Sequence, residues 1–258
     1  MPARTAGTKS EPSTLSAATG APAAAPKPVV TERIRSMSRR TEVELIVIRP
    51  EGAVPNLPVC LALHGRDQGA SQFLDLGVPE MLTSVVNYQG TPPFAVVAVD
   101  GGDSYWVRRD EEDDPQAMLS DEIPTWLEQR GLATTPFAVL GISMGAYGAL
   151  NYGANNSDPA VAAVSPALFL DWAEASERDV FANEQQWAAT DPLHQLNSFA
   201  GVPLGVWCGE SDPFIDATRR LVDAAKPVVS EIEPGDHDEA YWRKVLPDAL
   251  KFVGDARI

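Results

Sequence analysis

Six short, almost uniformly apolar runs recur along the chain from residue 57 onward. Runs of this kind are typical of strands buried on both faces, as in a parallel sheet that is covered by helices. Helical stretches separate most of them, so the pattern predicts an α/β fold with a mostly parallel, doubly wound sheet. The six predicted strands lie within residues 57–65, 94–102, 137–143, 160–168, 203–212 and 227–235.

Two alternating segments precede these runs. Residues 31–38 and 41–50 alternate polar and apolar side chains, which predicts an antiparallel pair of strands at the start of the sheet. The helical spacing of apolar residues predicts helices elsewhere, within residues 114–131, 216–226 and 239–253.

The chain is expected to hold one domain. Residues 1–30 are rich in Ala, Pro, Ser and Thr and offer little to bury, so we expect a disordered tail. Residues 31–258 contain no internal repeat and are predicted to fold as a single unit. Residues 169–200 connect two strands and contain Trp172 and Trp187, which favours a small helical cap over a loose loop.

The charge balance bears on possible partners. The chain has 20 Lys and Arg residues and 36 Asp and Glu residues, which gives a formal net charge of −16. Such a surface repels phosphate backbones, so nucleic-acid binding is not expected. Cys60 and Cys208 lie in strand-like runs and are expected to be buried free thiols, and no metal site is expected from so few ligands.

Localisation depends on the start of the chain. No apolar run approaches the roughly 18 residues that cross a membrane, so no membrane span is expected. The chain as given also lacks the apolar stretch of a signal peptide, which favours a cytoplasmic protein. If residues 1–30 follow a removed export signal, the alternative is a secreted or cell-envelope protein.

The sequence Gly-Ile-Ser-Met-Gly at residues 141–145 places Ser143 between a predicted buried strand and a helix rich in small residues. This is the context of the nucleophile elbow, in which a sharp turn exposes a serine above the carboxyl ends of the strands. Gly141 and Gly145 would allow the turn and the close packing of the helix. The alternative is a glycine-rich bend whose serine only caps the helix.

A serine nucleophile needs a base, and the chain has three histidines. His237 follows the last predicted strand and precedes the C-terminal helix, which is the place of the base in the order Ser, Asp or Glu, His. His194 lies in the predicted cap and is expected to pack there or at the surface. His64 is expected to shape the turn beside the oxyanion hole.

The acid of such a triad should lie between the serine and the histidine, at the end of a strand. Asp212 occupies this position, and we expect it to orient His237 and to stabilise the imidazolium. Glu210 and Asp216 are the alternatives, and Asp212 itself could instead be a turn residue before Pro213.

Two main-chain N–H groups should form the oxyanion hole. One belongs to Met144, the residue after the predicted nucleophile, and the other comes from the loop after the first parallel strand. Arg66 is the expected donor in that loop, with Gly65 as the alternative. Chemistry of this kind needs no cofactor.

Five segments of the chain resemble the esterase branch of the α/β-hydrolases, which includes esterase D-like enzymes and the bacterial mycolyltransferases. The resemblance spans roughly Leu57 to Phe252 and implies the α/β-hydrolase fold. It assigns the roles of nucleophile, acid and base to Ser143, Asp212 and His237, and it places Arg66 and Met144 at the oxyanion hole. The matching segments are LALHGRDQ (61–68), AVDGGDSYW (98–106), GISMGAYGAL (141–150), CGESDPF (208–214) and PGDHDEAYWRKVLPDALKF (234–252).

The resemblance also implies side chains beside the substrate. These candidates are Ser104, Tyr105 and Trp106 in the DGGDSYW loop, with packing of the loop as the alternative. His64, beside the predicted oxyanion hole, is a further candidate for substrate contact. The acidic run from Asp110 to Asp114 is expected to be a solvated turn and helix start.

The leading hypothesis is therefore a serine esterase that cleaves a small carboxylic ester through an acyl-enzyme, with His237 as the base in both half-reactions. An acyltransferase that passes the acyl group to a sugar or alcohol is the alternative. A non-catalytic binding module on a hydrolase fold is a third hypothesis. The oligomeric state cannot be read from the sequence.

Overall fold

The computed structural model describes residues 27–156 and 159–257. Most of the predicted tail, residues 1–30, lies outside the described residues. The first strand begins at Val29, which is within the predicted tail, and its residues pair with the second strand from Val29 onward.

The described residues contain one eight-stranded mixed sheet. Its strand order is β1-β2-β4-β3-β5-β6-β7-β8, with β1 and β2 antiparallel to their neighbours and the remaining pairs parallel. The predicted antiparallel start and the six predicted parallel strands are thereby confirmed. The strands are β1 (Val29–Arg35), β2 (Glu42–Ile48), β3 (Val59–Leu63), β4 (Ala95–Val99), β5 (Ala138–Ile142), β6 (Ala160–Val164), β7 (Leu204–Gly209) and β8 (Val229–Glu233).

Helices cover both faces of this sheet. One apolar core lies between the sheet and α4, α5 and α8, and a second lies between the opposite face and α1, α2 and α9. No helix of the described residues is long and apolar enough to cross a bilayer. The helices are α1 (Gln72–Asp75), α2 (Val78–Gln89), α3 (Pro115–Ala117), α4 (Ile123–Glu128), α5 (Met144–Asn155), α6 (Trp172–Ser176), α7 (Glu184–Thr190), α8 (Ile215–Ala225) and α9 (Glu239–Asp255).

The structure departs from the predicted elements in three places. The helix expected within 114–131 contains a π-helical turn at Met118–Glu122 between α3 and α4, because Pro124 has no N–H to continue the regular ladder. Helices α1 and α2 were not predicted, although Pro79 at the start of α2 and Gly90 after its end are typical boundary residues. Strand β8 lies at the edge of the sheet and is partly exposed, whereas burial on both faces was expected.

The connection between β6 and β7 consists mainly of short helical segments. It contains α6, α7 and two 3₁₀ turns, Pro192–His194 and Leu196–Phe199. Asp171 and Asn183 each cap a helix by accepting a hydrogen bond from a main-chain N–H in its first turn. Trp187 is buried against the main core. The helical character predicted for residues 169–200 is therefore present.

Helix α5 makes an unusually close approach to the sheet in its first turn. A Cβ atom at Gly145 would overlap the carbonyl oxygen of Leu63 at the end of β3, and one at Gly141 would overlap the carbonyl group of Gly145. Both glycines are therefore required by backbone contacts, which a side chain could not relieve by changing rotamer. This packing starts the helix directly after Ser143.

Gly145→Ala should destabilise the protein by about 3 kcal/mol, because the new methyl group meets rigid main-chain atoms. Gly65→Ala is the matched control: its Cβ would lie 3.5 Å from the Ile142 carbonyl oxygen, an ordinary contact. Denaturant unfolding of both variants measures the difference. Equal midpoints for Gly145→Ala and the wild type would contradict the packing described for α5.

Candidate active site

Ser143 lies at the turn between β5 and α5 in a conformation that is rare for a residue with a side chain. Its backbone angles are φ 58° and ψ −119°, and strain of this kind typically costs about 1–3 kcal/mol. Hydrogen bonds hold the turn on both sides: the Ser143 N–H donates to the Val164 carbonyl, and the Ser143 carbonyl accepts from the Ala167 N–H. The turn therefore presents the hydroxyl at the carboxyl end of the sheet.

A continuous chain of hydrogen bonds runs from this hydroxyl. The Ser143 Oγ lies 2.8 Å from Nε2 of His237, and Nδ1 of the same ring lies 2.7 Å from Oδ2 of Asp212. Because Nδ1–H donates to the carboxylate, Nε2 is left to accept the serine proton. Residues that are 94 and 25 positions apart in sequence thus meet at the ends of β5, β7 and β8.

The surroundings of Asp212 favour its charged form. Burial of this carboxylate would raise its pKa, but the hydrogen bond and charge of His237 and the N–H of Phe214 outweigh burial and lower the pKa. The Phe214 N–H donates to Oδ1 at 2.9 Å. An ionised Asp212 can stabilise a positive charge on His237.

The alternative acids lie elsewhere. Asp216 is exposed and pairs with Arg219 at 3.4 Å. Glu210 is also exposed, and its main-chain N–H donates to the Glu233 carbonyl across the β7–β8 pair. The structure therefore brings Asp212, and neither alternative, to His237.

Two aromatic rings enclose the His237 imidazole. The ring centroid of Phe214 lies 5.3 Å from it and that of Trp242 lies 5.4 Å away, both in edge-on arrangements. These contacts restrict rotation of the imidazole while its side chain stays 19% exposed. Neither ring was predicted as a site residue from the sequence, although each lies within five positions of Asp212 or His237.

The predicted oxyanion donors are free to bind a ligand. Among residues 27–156 and 159–257, neither the Met144 N–H nor the Arg66 N–H donates to a turn or loop carbonyl. By contrast, the N–H of Gly65, the alternative donor, already donates to Gln72 Oε1 at 2.8 Å. This occupied N–H favours Arg66 over Gly65.

His64 is buried and joins two loops. Its Nε2 accepts from the Gly101 N–H at 2.8 Å, so the ring proton resides on Nδ1, which donates to the Gly65 carbonyl, also at 2.8 Å. Burial lowers the pKa of His64 and favours this neutral form. The ring therefore fixes the loop after β3 against the loop after β4, and a direct contact with substrate is not supported.

The three candidates of the DGGDSYW loop are almost completely buried. Trp106 packs under Gly101 and Gly148, and its Nε1 donates to the His64 carbonyl at 3.2 Å. Ser104 donates to the Val107 carbonyl at 3.1 Å. Trp106 and Ser104 therefore make packing contacts and loop hydrogen bonds in place of the expected contact with substrate, because both side chains are buried.

Tyr105 belongs to an aromatic cluster beside the site. Its ring centroid lies 5.4–5.8 Å from those of Tyr147, Phe169 and Phe181, and Phe169 in turn lies 5.9 Å from Phe214. The cluster joins the DGGDSYW loop, α5 and the connection between β6 and β7 next to His237. Its members are far apart in sequence, so their contact depends on the tertiary fold.

The acidic run Asp110–Asp114 forms a turn and a helix start, as expected. Asp110 Oδ1 accepts from the N–H groups of Glu112 and Asp113, Asp114 caps α3, and Asp113 pairs with Arg39 at 2.7 Å. In the part of the chain that the structure describes, no group of three or more His, Cys, Asp or Glu side chains could hold a metal ion. Cys60 and Cys208 are buried free thiols, as predicted.

A second Asp–His pair lies in the connection between β6 and β7. His194 Nδ1 is 2.7 Å from Oδ2 of the fully buried Asp191, and its ring lies edge-on to Trp187 with centroids 5.0 Å apart. Oδ1 of Asp191 has no hydrogen-bond partner among the described residues. Burial therefore raises the pKa of Asp191 to about 6, although the hydrogen bond and charge of His194 oppose the rise.

A groove of about 470 Å³ lies away from Ser143. Its lining includes Trp207, Val228 and Phe252, and it opens where β7 and β8 begin rather than where they end. The groove therefore lies at the opposite end of these strands from the hydrogen-bonded residues Ser143, His237 and Asp212.

Comparison with known proteins assigns the family. Residues 36–253 match the model of the esterase family described as "Putative esterase". This match covers most of the chain, so the chain belongs to this esterase family and is a carboxylic ester hydrolase. A search of curated protein sequences found no match.

Solved structures agree on the fold. A ferulic acid esterase aligns with a TM-score of 0.75 at 20% identity, over 88% of this chain and 96% of its own. An S-formylglutathione hydrolase from Agrobacterium tumefaciens aligns at 0.73 and 16% identity, over 88% and 94%. The Staphylococcus aureus fluorophosphonate-binding serine hydrolase FphF aligns at 0.69 and 18%, over 88% and 98%. The predicted α/β-hydrolase fold is therefore confirmed.

Asp191→Asn should change how stability depends on pH. Between the usual pKa of 3.8 and about 6, the folded protein binds the Asp191 proton more tightly than the unfolded chain. The aspartate therefore costs stability progressively as the pH rises through this window, by up to about 3 kcal/mol. Relative to the wild type, Asp191→Asn should gain stability between pH 4 and pH 7.5 in denaturant unfolding.

His194→Gln is the second arm of this experiment. It removes the partner that lowers the Asp191 pKa, so the loss of stability should extend to higher pH. If the difference in stability between Asp191→Asn and the wild type stays constant across this pH range, the buried carboxyl is not the source of that difference.

Proposed function

We propose that this enzyme hydrolyses small carboxylic esters through an acyl-enzyme on Ser143. The observation that carries the proposal is the hydrogen-bond chain Ser143–His237–Asp212, at 2.8 and 2.7 Å. A serine hydroxyl at this distance from an oriented imidazole can lose its proton as it attacks a carbonyl carbon. The strained turn at Ser143 supports the same role, because it fixes the hydroxyl before substrate arrives.

In the first half-reaction, Ser143 Oγ attacks the ester carbonyl and His237 Nε2 takes its proton. The N–H groups of Met144 and Arg66 would donate to the oxyanion of the tetrahedral intermediate. His237 then gives the proton to the departing alcohol oxygen, and the acyl group remains on Ser143. Asp212 stabilises the imidazolium in between.

In the second half-reaction, water attacks the acyl-enzyme with His237 as base, and the carboxylic acid leaves. An acyltransferase would use the same steps with a sugar or alcohol in place of water. Water is the acceptor proposed here because the chain belongs to a family of esterases.

We further propose that residues 169–200 form a cap over the acyl or alcohol portion of the substrate. Phe169 and Phe181 lie in this segment, and both rings contact Tyr105. Phe214 contacts Phe169 on one side and the His237 ring on the other. These buried contacts hold the segment against the loops that carry Asp212 and His237, where it would exclude water from the bound ester.

Ser143→Ala should lower kcat for ester hydrolysis by about 10⁴–10⁶-fold, because no other group would supply the nucleophile. The wild type should gain the mass of one fluorophosphonate adduct, and Ser143→Ala should gain none. Ser120→Ala, at an exposed serine, is the control and should label fully. An activity within tenfold of wild type in Ser143→Ala would disprove the mechanism.

Asp212→Asn should lower kcat by about 10⁴-fold, because an amide cannot stabilise the imidazolium and favours the wrong tautomer of His237. Asp216→Asn removes the same charge from an exposed carboxylate in the next helix and should leave kcat unchanged. Steady-state kinetics on one ester compares the two variants. Equal kcat values for the two variants would refute the proposed role of Asp212.

A further inference from the structure

Arg178 lies in the proposed cap, between α6 and α7, and faces two aromatic rings of the site. Its guanidinium carbon lies 5.5 Å from the ring centroid of Phe169 and 5.2 Å from that of Phe214. Contacts of this geometry are attractive and hold the planar guanidinium in place. Because Phe214 also lies edge-on to His237, a single ring separates the Arg178 charge from the catalytic base candidate.

No protein group neutralises this charge in the part of the chain that the structure describes. No carboxylate lies within 4.0 Å of Arg178 there, and no acceptor binds its side chain. Its Nε is buried without a hydrogen-bond partner. The chain carries 36 acidic residues against 20 basic ones, so the absence of a described partner at this position is informative.

A second arginine adds positive charge near Tyr105. Arg66, which follows β3 beside the proposed oxyanion hole, is exposed and forms no ion pair with any described residue. Burial raises the pKa of Tyr105, and the charges of Arg178 and Arg66 both oppose that rise. The charges of both arginines therefore act on Tyr105, beside the site.

We propose that Arg178 binds a carboxylate on the ester substrate, so that the enzyme prefers esters with a negative charge on the acyl or the alcohol portion. This inference rests on the proposed esterase function. A guanidinium already fixed by two rings loses little freedom on binding, and its fork of N–H donors matches the two oxygens of a carboxylate. Arg178 is thereby a specificity-determining residue, with Arg66 contributing charge at longer range.

The test compares kcat/KM for matched pairs of esters. For the acyl portion, 4-nitrophenyl hemisuccinate carries the carboxylate and 4-nitrophenyl butyrate is neutral. For the alcohol portion, the pair is 4-carboxyphenyl acetate and phenyl acetate. In Arg178→Gln, the charged-to-neutral ratio of kcat/KM should fall by about 10–100-fold in one pair, mainly through KM. The affected pair identifies which portion carries the charge.

Two further variants separate this role from general effects. Arg243→Gln removes the same charge from an exposed arginine on α9 that pairs with Glu239, and it should leave both ratios unchanged. Arg178→Lys keeps the charge without the planar fork and should restore part of the ratio. Equal ratios in the wild type, Arg178→Gln and Arg243→Gln would overturn the inference and leave the proposed function intact.

A measurement on the wild type covers the case in which Arg178→Gln does not fold. Succinamate and succinamide are compared as protectors of Ser143 against fluorophosphonate labelling. Succinamate, which carries a carboxylate, should slow labelling more strongly than neutral succinamide. Equal protection would overturn the inference, and a wild type that hydrolyses neither member of either ester pair would refute the proposed function along with it.

Discussion

The contact between the first turn of α5 and the carboxyl ends of β3 and β5 determines the geometry above the sheet. Main-chain atoms meet here without intervening side chains, so Gly145 allows the helix to start closer to β3 than any other residue would. The strained backbone of Ser143 is a consequence of this approach, and it persists because hydrogen bonds to Val164 and Ala167 fix the turn. Strands β3 to β7 around it are buried throughout, and their packing supplies the free energy that offsets the strain.

Two Asp–His pairs with the same 2.7 Å hydrogen bond illustrate how surroundings decide chemistry. Asp212 receives a main-chain N–H on its second oxygen, and its pKa is lowered. Asp191 lacks a described partner on its second oxygen, and burial raises its pKa to about 6. The two carboxylates thus differ in the balance between burial and hydrogen bonding: the bonds to Asp212 outweigh its burial, whereas those to Asp191 do not. Among the described residues, only the histidine bonded to Asp212 also lies within hydrogen-bond distance of a serine hydroxyl.

The sequence was sufficient to predict the strands and to name the serine, aspartate and histidine that the fold brings within hydrogen-bond distance of one another. Buried parallel strands are uniformly apolar, and chain order left one histidine and few acids in the required places. Apart from these pairings, contacts between distant segments could not be predicted. The burial of Trp106, the rings of Phe214 and Trp242 around His237 and the position of Arg178 depend on which elements the tertiary fold brings together. The π-helical turn before Pro124 shows that even a correctly placed helix can deviate locally.

The division of the site between chain segments has a consequence for how such an enzyme diversifies. Ser143, Asp212 and His237 follow three different strands of one rigid sheet, whereas Arg178, Phe181 and Trp187 belong to a single connection between β6 and β7. That connection consists of short helices with their own capping residues, and none of the three residues Ser143, Asp212 and His237 lies in it. Substitutions, insertions or wholesale exchange within this one stretch could therefore retune selectivity while the reactive machinery is inherited unchanged.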